Sequence, residues 1–349
     1  MGLFKTKQPP SFGASQVVRA AAGGAGRPGA VQQYTVSSAA ARAMSIPTIA
    51  RAVGLITSTI GGLEIDQYVV QYQQGRPVRS YLEPERWQQQ PDPKVTRNFI
   101  IANTVRDLML YGRAFWYITE RYATGFPSGF TWLPADNVNT SDQAGPEWFG
   151  PSNDITLNGV DVDPNNVVQF LSPIPGMLWY GSRAIDIAYR LDEAAKRFAS
   201  VEIAAGYLQQ RDGEPMSGDE LVELASAWAE ARTSRAVGAL NQHVEWVEFK
   251  SNPSTLQLHE GRQHAAMELA RVMQVPPWLV GLSVGGMTYQ NSQEARRDLF
   301  LFGAKPFVDC IEETLTMPNV TPRGRFVSLD IDTYLAEAQG PMNTEGNTA

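Results

Sequence analysis

The stretch from residue 270 to residue 300 restricts the fold of this chain most, because two helical patterns meet there across a rigid stop and a small-residue loop. The first pattern runs into Pro276 and Pro277, whose rings fix the backbone and remove the amide hydrogens that a helix uses. The loop that follows has no charged side chain and contains three glycines, Gly281, Gly285 and Gly286. Such a segment fits an active-site lid, and it also fits a loop that lies beside a passing polymer.

The length and composition allow a sizeable core. The chain has 349 residues, of which 43% are hydrophobic, enough for one large or two modest cores. Its formal net charge of -7 argues against a basic surface that wraps nucleic acid. A single cysteine, Cys310, excludes an intramolecular disulfide, and we expect it to be buried. No apolar run approaches 18 residues and no signal peptide is evident, so we expect a soluble protein made in the cytoplasm.

The first half of the sequence predicts a mixture of helices and strands. A helix should begin near Ser45, which we expect to be its N-cap, with Pro47 in its first turn. It should carry one apolar stripe, Ile46, Ile49, Val53, Ile56 and Ile60. A strand pair should turn at Gly75, and a second helix should run from Thr96 to Tyr111. Further strand patterns cover residues 113–122, 129–140 and 166–172. The predicted class is α+β.

The second half has longer helical patterns. Residues 181–208 carry one alanine-rich stripe, Ala184, Ile187, Leu191, Ala195, Phe198, Val201, Ala205 and Leu208. A helix over 218–235, a strand over 243–250 and a helix over 257–274 follow. The last helix begins at Asn291, and its pattern contains Gly303 and Pro306, where we expect a kink.

The sequence offers no catalytic motif. It lacks a phosphate-binding GxxxxGK[ST] loop, and His259 and His264 stand five residues apart, a spacing that would not direct both imidazoles to one zinc ion from a helix. The run "DVDPNN" from Asp161 lacks the glycine and the glutamate of a calcium loop. We therefore expect no enzyme, no cofactor and no metal site.

The order of these segments resembles the portal proteins of tailed bacteriophages, in the shorter siphophage-type branch. The similarity covers about residues 38 to 332. It rests on five stretches: "MSIPTIARAVGLITSTIGGLEI", "RDLMLYGRAFWYI", "LWYGSRAIDIA", "ARVMQVPPWLVG" and "TYQNSQEARRDLFLFGAKPFVDCIEETL". The last two are the most specific.

The resemblance implies a portal fold with an α/β wing, a long helical stem, a small strand-helix-strand clip, a kinked long helix and a reduced or absent crown. The implied division is a flexible arm (1–37), the wing (38–180), a stem helix (181–208), the clip (209–256), a second stem helix (257–275), a tunnel loop (276–290) and a kinked wing helix with a short C-terminal segment (291–349). An alternative makes 218–235 a stem helix and shortens the clip to 236–254.

The implied function is a ring of twelve subunits at one capsid vertex, through which double-stranded DNA is packaged and ejected. The expected partners are the large terminase, a head-tail adaptor or connector protein and the major capsid protein, without a membrane. The protein would reside in the virion and, during assembly, in the host cytoplasm. Two alternatives remain: another ring-forming neck or adaptor protein, and a metal-dependent enzyme that processes nucleic acid.

Three groups of residues follow from this interpretation. The predicted tunnel loop comprises Pro276, Pro277, Trp278, Leu279, Gly281, Ser283, Gly285, Gly286, Met287, Thr288 and Tyr289. An ordinary helix-helix connector, packed on Trp278 and Leu279, would also explain this loop. Basic contacts to the channel DNA are expected from Lys250, Arg262 and Arg271. The clip and its partner interface are expected to use Leu221, Leu224, Trp228, Arg232, Arg235, His243 and Trp246, and both tryptophans should be largely buried.

Overall fold

The computed structural model describes residues 39–143, 149–199, 206–213, 215–233, 243–248, 257–282 and 292–336. The chain divides into two compact units. The main unit comprises Met1–Ile185 and Met267–Ala349, and the inserted unit comprises Asp186–Ala266. The predicted N-terminal arm lies outside the described residues.

Helices and small sheets alternate along the chain, which confirms the predicted α+β class. The described helices are α1 (Ala39–Met44), α2 (Pro47–Gly61), α3 (Arg86–Gln89), α4 (Arg97–Tyr111), α5 (Met177–Tyr180), α6 (Ser182–Ala199), α7 (Gly218–Thr233), α8 (Leu258–Val272), α9 (Ser292–Asp298), α10 (Lys305–Thr316) and α11 (Ile331–Ala336). The described strands are β1 (Ile65–Gln73), β2 (Arg76–Tyr81), β3 (Arg113–Arg121), β4 (Pro127–Leu133), β5 (Val138–Thr140), β6 (Ile155–Leu157), β7 (Val160–Val162), β8 (Val167–Leu171), β9 (Gly206–Gln210), β10 (Val244–Glu248) and β11 (Arg325–Leu329).

Helix α2 carries the predicted apolar stripe, and all five of its isoleucine and valine positions are buried. The predicted N-cap was wrong, because Ile46 occupies that position and makes no side-chain cap bond. The Ser45 hydroxyl instead donates to the carbonyl of Arg42, 2.7 Å away, at the end of helix α1. Helix α1 was not predicted. Because the Ser45 hydroxyl bonds to its last turn, this side chain does not cap α2.

Helix α4 leads directly into the central strand β3, as predicted. The Thr96 hydroxyl accepts a hydrogen bond from the amide of Phe99 (3.2 Å) and caps the start of the helix. Gly112 ends the helix with φ at +76°, a left-handed conformation that favours glycine. Strand β3 then forms the middle of the sheet β4-β3-β8, whose largest buried side chains include Trp116, Phe130 and Phe170.

A buried carboxyl supports this sheet from α4. Asp107 is 2% exposed and accepts hydrogen bonds from the indole of Trp132 (2.9 Å) and the amide of Ala135 (3.1 Å). Burial disfavours the charged form and raises the pKa of Asp107 to about 7. The two hydrogen bonds lower this pKa, but by less than burial raises it. The sequence pattern contains no indication of this group.

The sheet β11-β1-β2 joins the two ends of the main unit. The β1–β2 hairpin turns at Gln74 and Gly75, both with positive φ, as predicted. Strand β11 pairs with β1 from Ile65↔Leu329 to Val69↔Arg325 and was not predicted as a strand. Helix α10 covers the free edge of β11, since Thr316 Oγ1 and Glu312 Oε1 accept hydrogen bonds from the amides of Val327 and Leu329.

The long C-terminal helix is interrupted where the sequence predicted a kink. Helix α9 passes into a π-helical segment, Leu299–Ala304, before α10 begins. Gly303 lies in this segment, and Pro306 stands in the first turn of α10, where its missing amide disturbs the regular hydrogen bonding. Cys310 on α10 is buried, as expected.

The predicted helix over 181–208 was too long. Helix α6 ends at Ala199, and residues 206–210 form strand β9, which pairs antiparallel with β10. Leu208, the last residue of the predicted helical stripe, lies opposite Trp246 in this ladder. Pairing with a strand about 40 residues away outweighs the helical spacing of the apolar residues, and this spacing contains no information about a distant partner.

Candidate functional site

The turn after α8 begins before the double proline. The helix ends at Val272, and Gln274 adopts a left-handed conformation with φ at +55°. The amide of Val275 then donates to the carbonyl of Ala270 over 3.0 Å. The expectation that the prolines end this helix was therefore wrong: a left-handed residue reverses the chain first, and Pro276 follows in an extended conformation.

The first part of the predicted tunnel loop is a short 3-10 turn, Pro277–Val280. Gly281 closes it with φ at +84°, so this glycine meets a backbone requirement. The turn packs against helix α2, where Arg51 Nε donates to the carbonyl of Leu279 over 3.4 Å. Trp278 and Leu279 are half-buried. The connector interpretation describes this anchored part well.

The remaining predicted loop residues lie outside the described part of the chain: Ser283, Gly285, Gly286, Met287, Thr288 and Tyr289. The anchored portion of the loop extends to Leu282, whose amide donates to the carbonyl of Pro277 over 3.0 Å. A role beside DNA would therefore belong to residues after this anchor.

Two of the three predicted channel cations have carboxylate partners. Arg262 Nε donates to Oδ1 of Asp192 across 2.8 Å, linking α8 to α6 within the inserted unit. Arg271 pairs with Glu268 one turn earlier on the same helix. Lys250 lies outside the described residues.

Within the inserted unit, β9, α7 and β10 follow one another as strand, helix and strand, but β9 begins inside the segment that was predicted as a stem helix, 181–208. Strands β9 and β10 pair antiparallel, and α7 lies in the connection between them. A reciprocal cap starts α7, because the Ser217 amide donates to Oε2 of Glu220 over 2.8 Å and the Ser217 hydroxyl accepts from the Glu220 amide over 3.4 Å.

The surface of α7 combines apolar and acidic side chains. Leu221 is exposed, whereas Leu224 and Trp228 are half-buried. Val222, which the apolar stripe did not include, is 67% exposed. The acidic side chains of this helix are Asp219, Glu220, Glu223 and Glu230. A helix with exposed apolar side chains among acidic ones fits an interaction surface better than a catalytic site.

The other predicted clip residues are placed in part. His243 Nδ1 lies 2.6 Å from Oδ1 of Asp212, at the end of the β9–β10 ladder. The backbone of Trp246 pairs with Leu208, but its side chain and that of Arg232 are outside what the structure describes, as is all of Arg235.

The described residues offer no catalytic arrangement of the kinds considered from the sequence. Within them, no group of three or more His, Cys, Asp or Glu side chains could hold a metal ion. His259 and His264 are both exposed on α8, as expected for surface histidines. In the same residues, no helix has the length and apolarity to cross a bilayer.

Comparisons with known proteins agree on one family. The sequence model described as phage portal protein matches residues 47–340. A probable portal protein of Streptomyces phage phiC31 is 22% identical over 322 residues, which cover 83% of this chain and 68% of that protein. The crystal structure of an HK97 family phage portal protein from Corynebacterium diphtheriae has a TM-score of 0.66 at 25% identity and covers 84% of this chain and 95% of its own.

A second solved structure shares the fold at lower identity. The neck of a native gene transfer agent particle, computed with C12 symmetry, has a TM-score of 0.56 at 18% identity and covers 94% of this chain and 87% of that chain. The family match, the phage relative and the shared fold together cover the main unit and the inserted unit. The chain therefore belongs to the phage portal protein family, a family of structural proteins rather than enzymes.

Proposed function

We propose that this chain forms a ring of twelve subunits at one capsid vertex, and that double-stranded DNA is packaged and ejected through the channel of the ring. The observation that carries the proposal is the family match over residues 47–340. The fold shared with a neck structure computed with C12 symmetry supports the ring and its subunit number.

The inserted unit would supply the docking platform. In this proposal α6 and α8 belong to the stem, and the clip receives the large terminase during packaging and a head-tail connector afterwards. The clip runs to residue 256 and starts at 206 instead of the predicted 209, because β9 begins there. The β9–β10 pairing supports this longer clip over the alternative that moves 218–235 into the stem, because α7 lies between two strands that pair with each other. The main unit would form the wing that contacts the major capsid protein.

The loop after α8 would face the DNA. Its anchored part, residues 276–282, is held against α2, and the neutral residues 283–290 that follow would approach the duplex. A loop without fixed charge has little hold on phosphate, which suits passage of DNA more than its retention. The basic contacts, from Lys250, Arg262 or Arg271, would be few.

The test is the size and shape of the purified chain. Twelve copies of the 38.4 kDa chain should elute as a particle of about 460 kDa and appear as rings in negative stain. A chain that stays monomeric over the whole accessible concentration range would contradict the ring. Complementation of a portal-deficient phage then tests the channel, with DNA-filled capsids as the expected result and empty capsids as the contrary one.

A further inference from the structure

The main unit exposes an aromatic surface on the sheet β11-β1-β2. We call it the aromatic sheet face and define it by five residues, Tyr68, Val70, Tyr72, Tyr81 and Phe326, together with Arg79. The strand register places them on one side of the sheet, since Tyr68 lies opposite both Tyr81 and Phe326, and Val70 lies opposite Arg79. Tyr72 is 76% exposed.

The aromatic sheet face is already ordered in the single chain. The Tyr68 ring stacks on Phe326 with centroids 5.4 Å apart and approaches Tyr81 at 6.0 Å. The Arg79 guanidinium lies 4.7 Å above the Tyr68 ring. Tyrosine and arginine held rigidly on a surface are typical of the residues that carry most of the binding energy at protein interfaces.

A second apolar surface lies beside α10. It is a groove of about 550 Å³ between β8, the π-helical segment and α10. We call it the acidic groove, because Asp309 and Glu313 also line it. Its apolar lining residues are Leu171, Pro173, Leu301, Pro306 and Met317. Met317 is 51% exposed, and Phe302, which follows Leu301 in the π-helical segment, is 62% exposed. The π-helical segment thus presents two large apolar side chains outward while its remaining residues are buried.

The two surfaces have opposite charge. Arg79 on β2 is the exposed cation of the aromatic sheet face, and it forms no ion pair with another described residue, although it acts electrostatically on Glu312 of α10 in the same chain. In the acidic groove Lys305 pairs with Asp309, which leaves the exposed carboxylate of Glu313 as the uncompensated charge. Copies that met through two identical surfaces would place like charges together, whereas the aromatic sheet face and the acidic groove complement each other.

We propose that the aromatic sheet face of one copy docks on the acidic groove of the next copy around the ring. This inference rests on the proposed ring and names the contact that would hold it. A cyclic ring needs two different, mutually complementary surfaces on every subunit, because each copy meets its two neighbours head to tail. The aromatic sheet face supplies tyrosines and an arginine, and the acidic groove supplies an apolar cleft with a carboxylate.

The first test reverses the charges. Arg79→Glu and Glu313→Arg, each alone, should raise the concentration at which half the chains are assembled by about tenfold, because each places like charges in every contact. The double variant restores an opposite pair in every contact and should return assembly toward the wild-type value. Lys94→Glu, an exposed charge reversal away from both surfaces, is the matched control and should leave assembly unchanged.

The second test fixes the contact covalently. A chain carrying both Tyr72→Cys and Met317→Cys should give, on mild oxidation, a ladder of covalent oligomers up to the full ring on a non-reducing gel. Each single variant lacks one half of the contact and should give nothing larger than a dimer. The wild type, with only the buried Cys310, should remain a single band.

The outcomes separate this inference from the proposed function. Wild-type rings that tolerate both single reversals, or rings whose double-cysteine variant gives no ladder, contradict the contact and leave the ring standing. A wild-type chain that never assembles contradicts the ring and the contact together. Rescue by the double reversal with a full ladder supports both.

Discussion

Arg262 on α8 donates a hydrogen bond from Nε to Oδ1 of Asp192 on α6, 2.8 Å away. Both side chains are partly exposed, so the ion pair should stabilise the inserted unit by less than about 1 kcal/mol. Its greater consequence is electrostatic, because a carboxylate already offsets a cation that the sequence suggested as a DNA contact. The positive charge that α8 can offer to a duplex depends on this pair.

Removing either partner should therefore change DNA binding in opposite directions. Asp192→Asn should strengthen retention of DNA in the ring. Arg262→Gln should weaken it and reduce the slope of log K against log salt by about one for each phosphate that the arginine neutralises in the wild type. The measurement is DNA retention over a salt series. Arg190→Gln, which breaks the comparable exposed pair with Asp186, is the control. If both Asp192→Asn and Arg262→Gln behave like the wild type, Arg262 does not face the DNA.

The buried carboxyl of Asp107 should make stability depend on pH. Its pKa in the folded chain is about 7, well above the ordinary value of 3.8. Between about pH 4 and pH 7 the unfolded chain has released this proton while the folded chain retains it, so the free energy of unfolding falls as the pH rises. Below that range the group is neutral in both states, and above it the loss is constant.

Asp107→Asn should remove this dependence, because the amide oxygen can still accept from Trp132 and Ala135 but cannot ionise. At pH 8 the variant should be more stable than the wild type by up to about 4 kcal/mol, the equivalent of about three pKa units, and the difference should vanish near pH 4. Urea unfolding at several pH values measures it. Asp107→Ala is the contrast, since it leaves two buried donors unpaired and should be destabilised throughout. A pH-independent difference between Asp107→Asn and the wild type would contradict the shifted pKa.

The local features of the fold were predictable because they depend on neighbouring residues. Thr96 and Gly112 set the ends of α4 by capping and by a left-handed turn, and both act over one or two turns of chain. The hairpin at Gly75 and the interruption near Gly303 follow from the same kind of local rule. These are positions where a residue type has a direct backbone consequence.

The missed features depend on distant partners. Strand β11 forms by pairing with β1, about 260 residues earlier, and β9 forms by pairing with β10 across α7. The ionisation of Asp107 depends on burial under Trp132. Arg262 and Asp192 are 70 residues apart in the chain. The sequence could therefore suggest the arginine as a channel contact, but it could not identify the carboxylate that pairs with it.

The junction between α4 and β3 should tolerate no side chain at Gly112. Its φ is +76°, and a Cβ there would lie 2.7 Å from the amide nitrogen of Gly176. Gly112→Ala should therefore lower the free energy of unfolding by more than about 2 kcal/mol, from backbone strain and a contact with rigid backbone. Gly159→Ala is the matched control, because Gly159 has φ at +78° with open space around it, and strain alone should cost about 1 kcal/mol. Equal losses of stability in the two variants would contradict the importance of the close approach.

The exposed apolar side chains of α7 should serve binding rather than folding. Leu221→Ser and Val222→Ser remove large apolar groups that already face solvent, so the free energy of unfolding should change by no more than about 0.5 kcal/mol. Binding to the large terminase or to the head-tail connector, measured by pull-down and by titration, should weaken by about tenfold, because the complex would bury these groups. Ala227→Ser, on another side of the same helix, controls for helix propensity and should bind normally. Normal binding by both Leu221→Ser and Val222→Ser would show that partners dock elsewhere on the inserted unit, and a large loss of stability would show that these side chains pack within it.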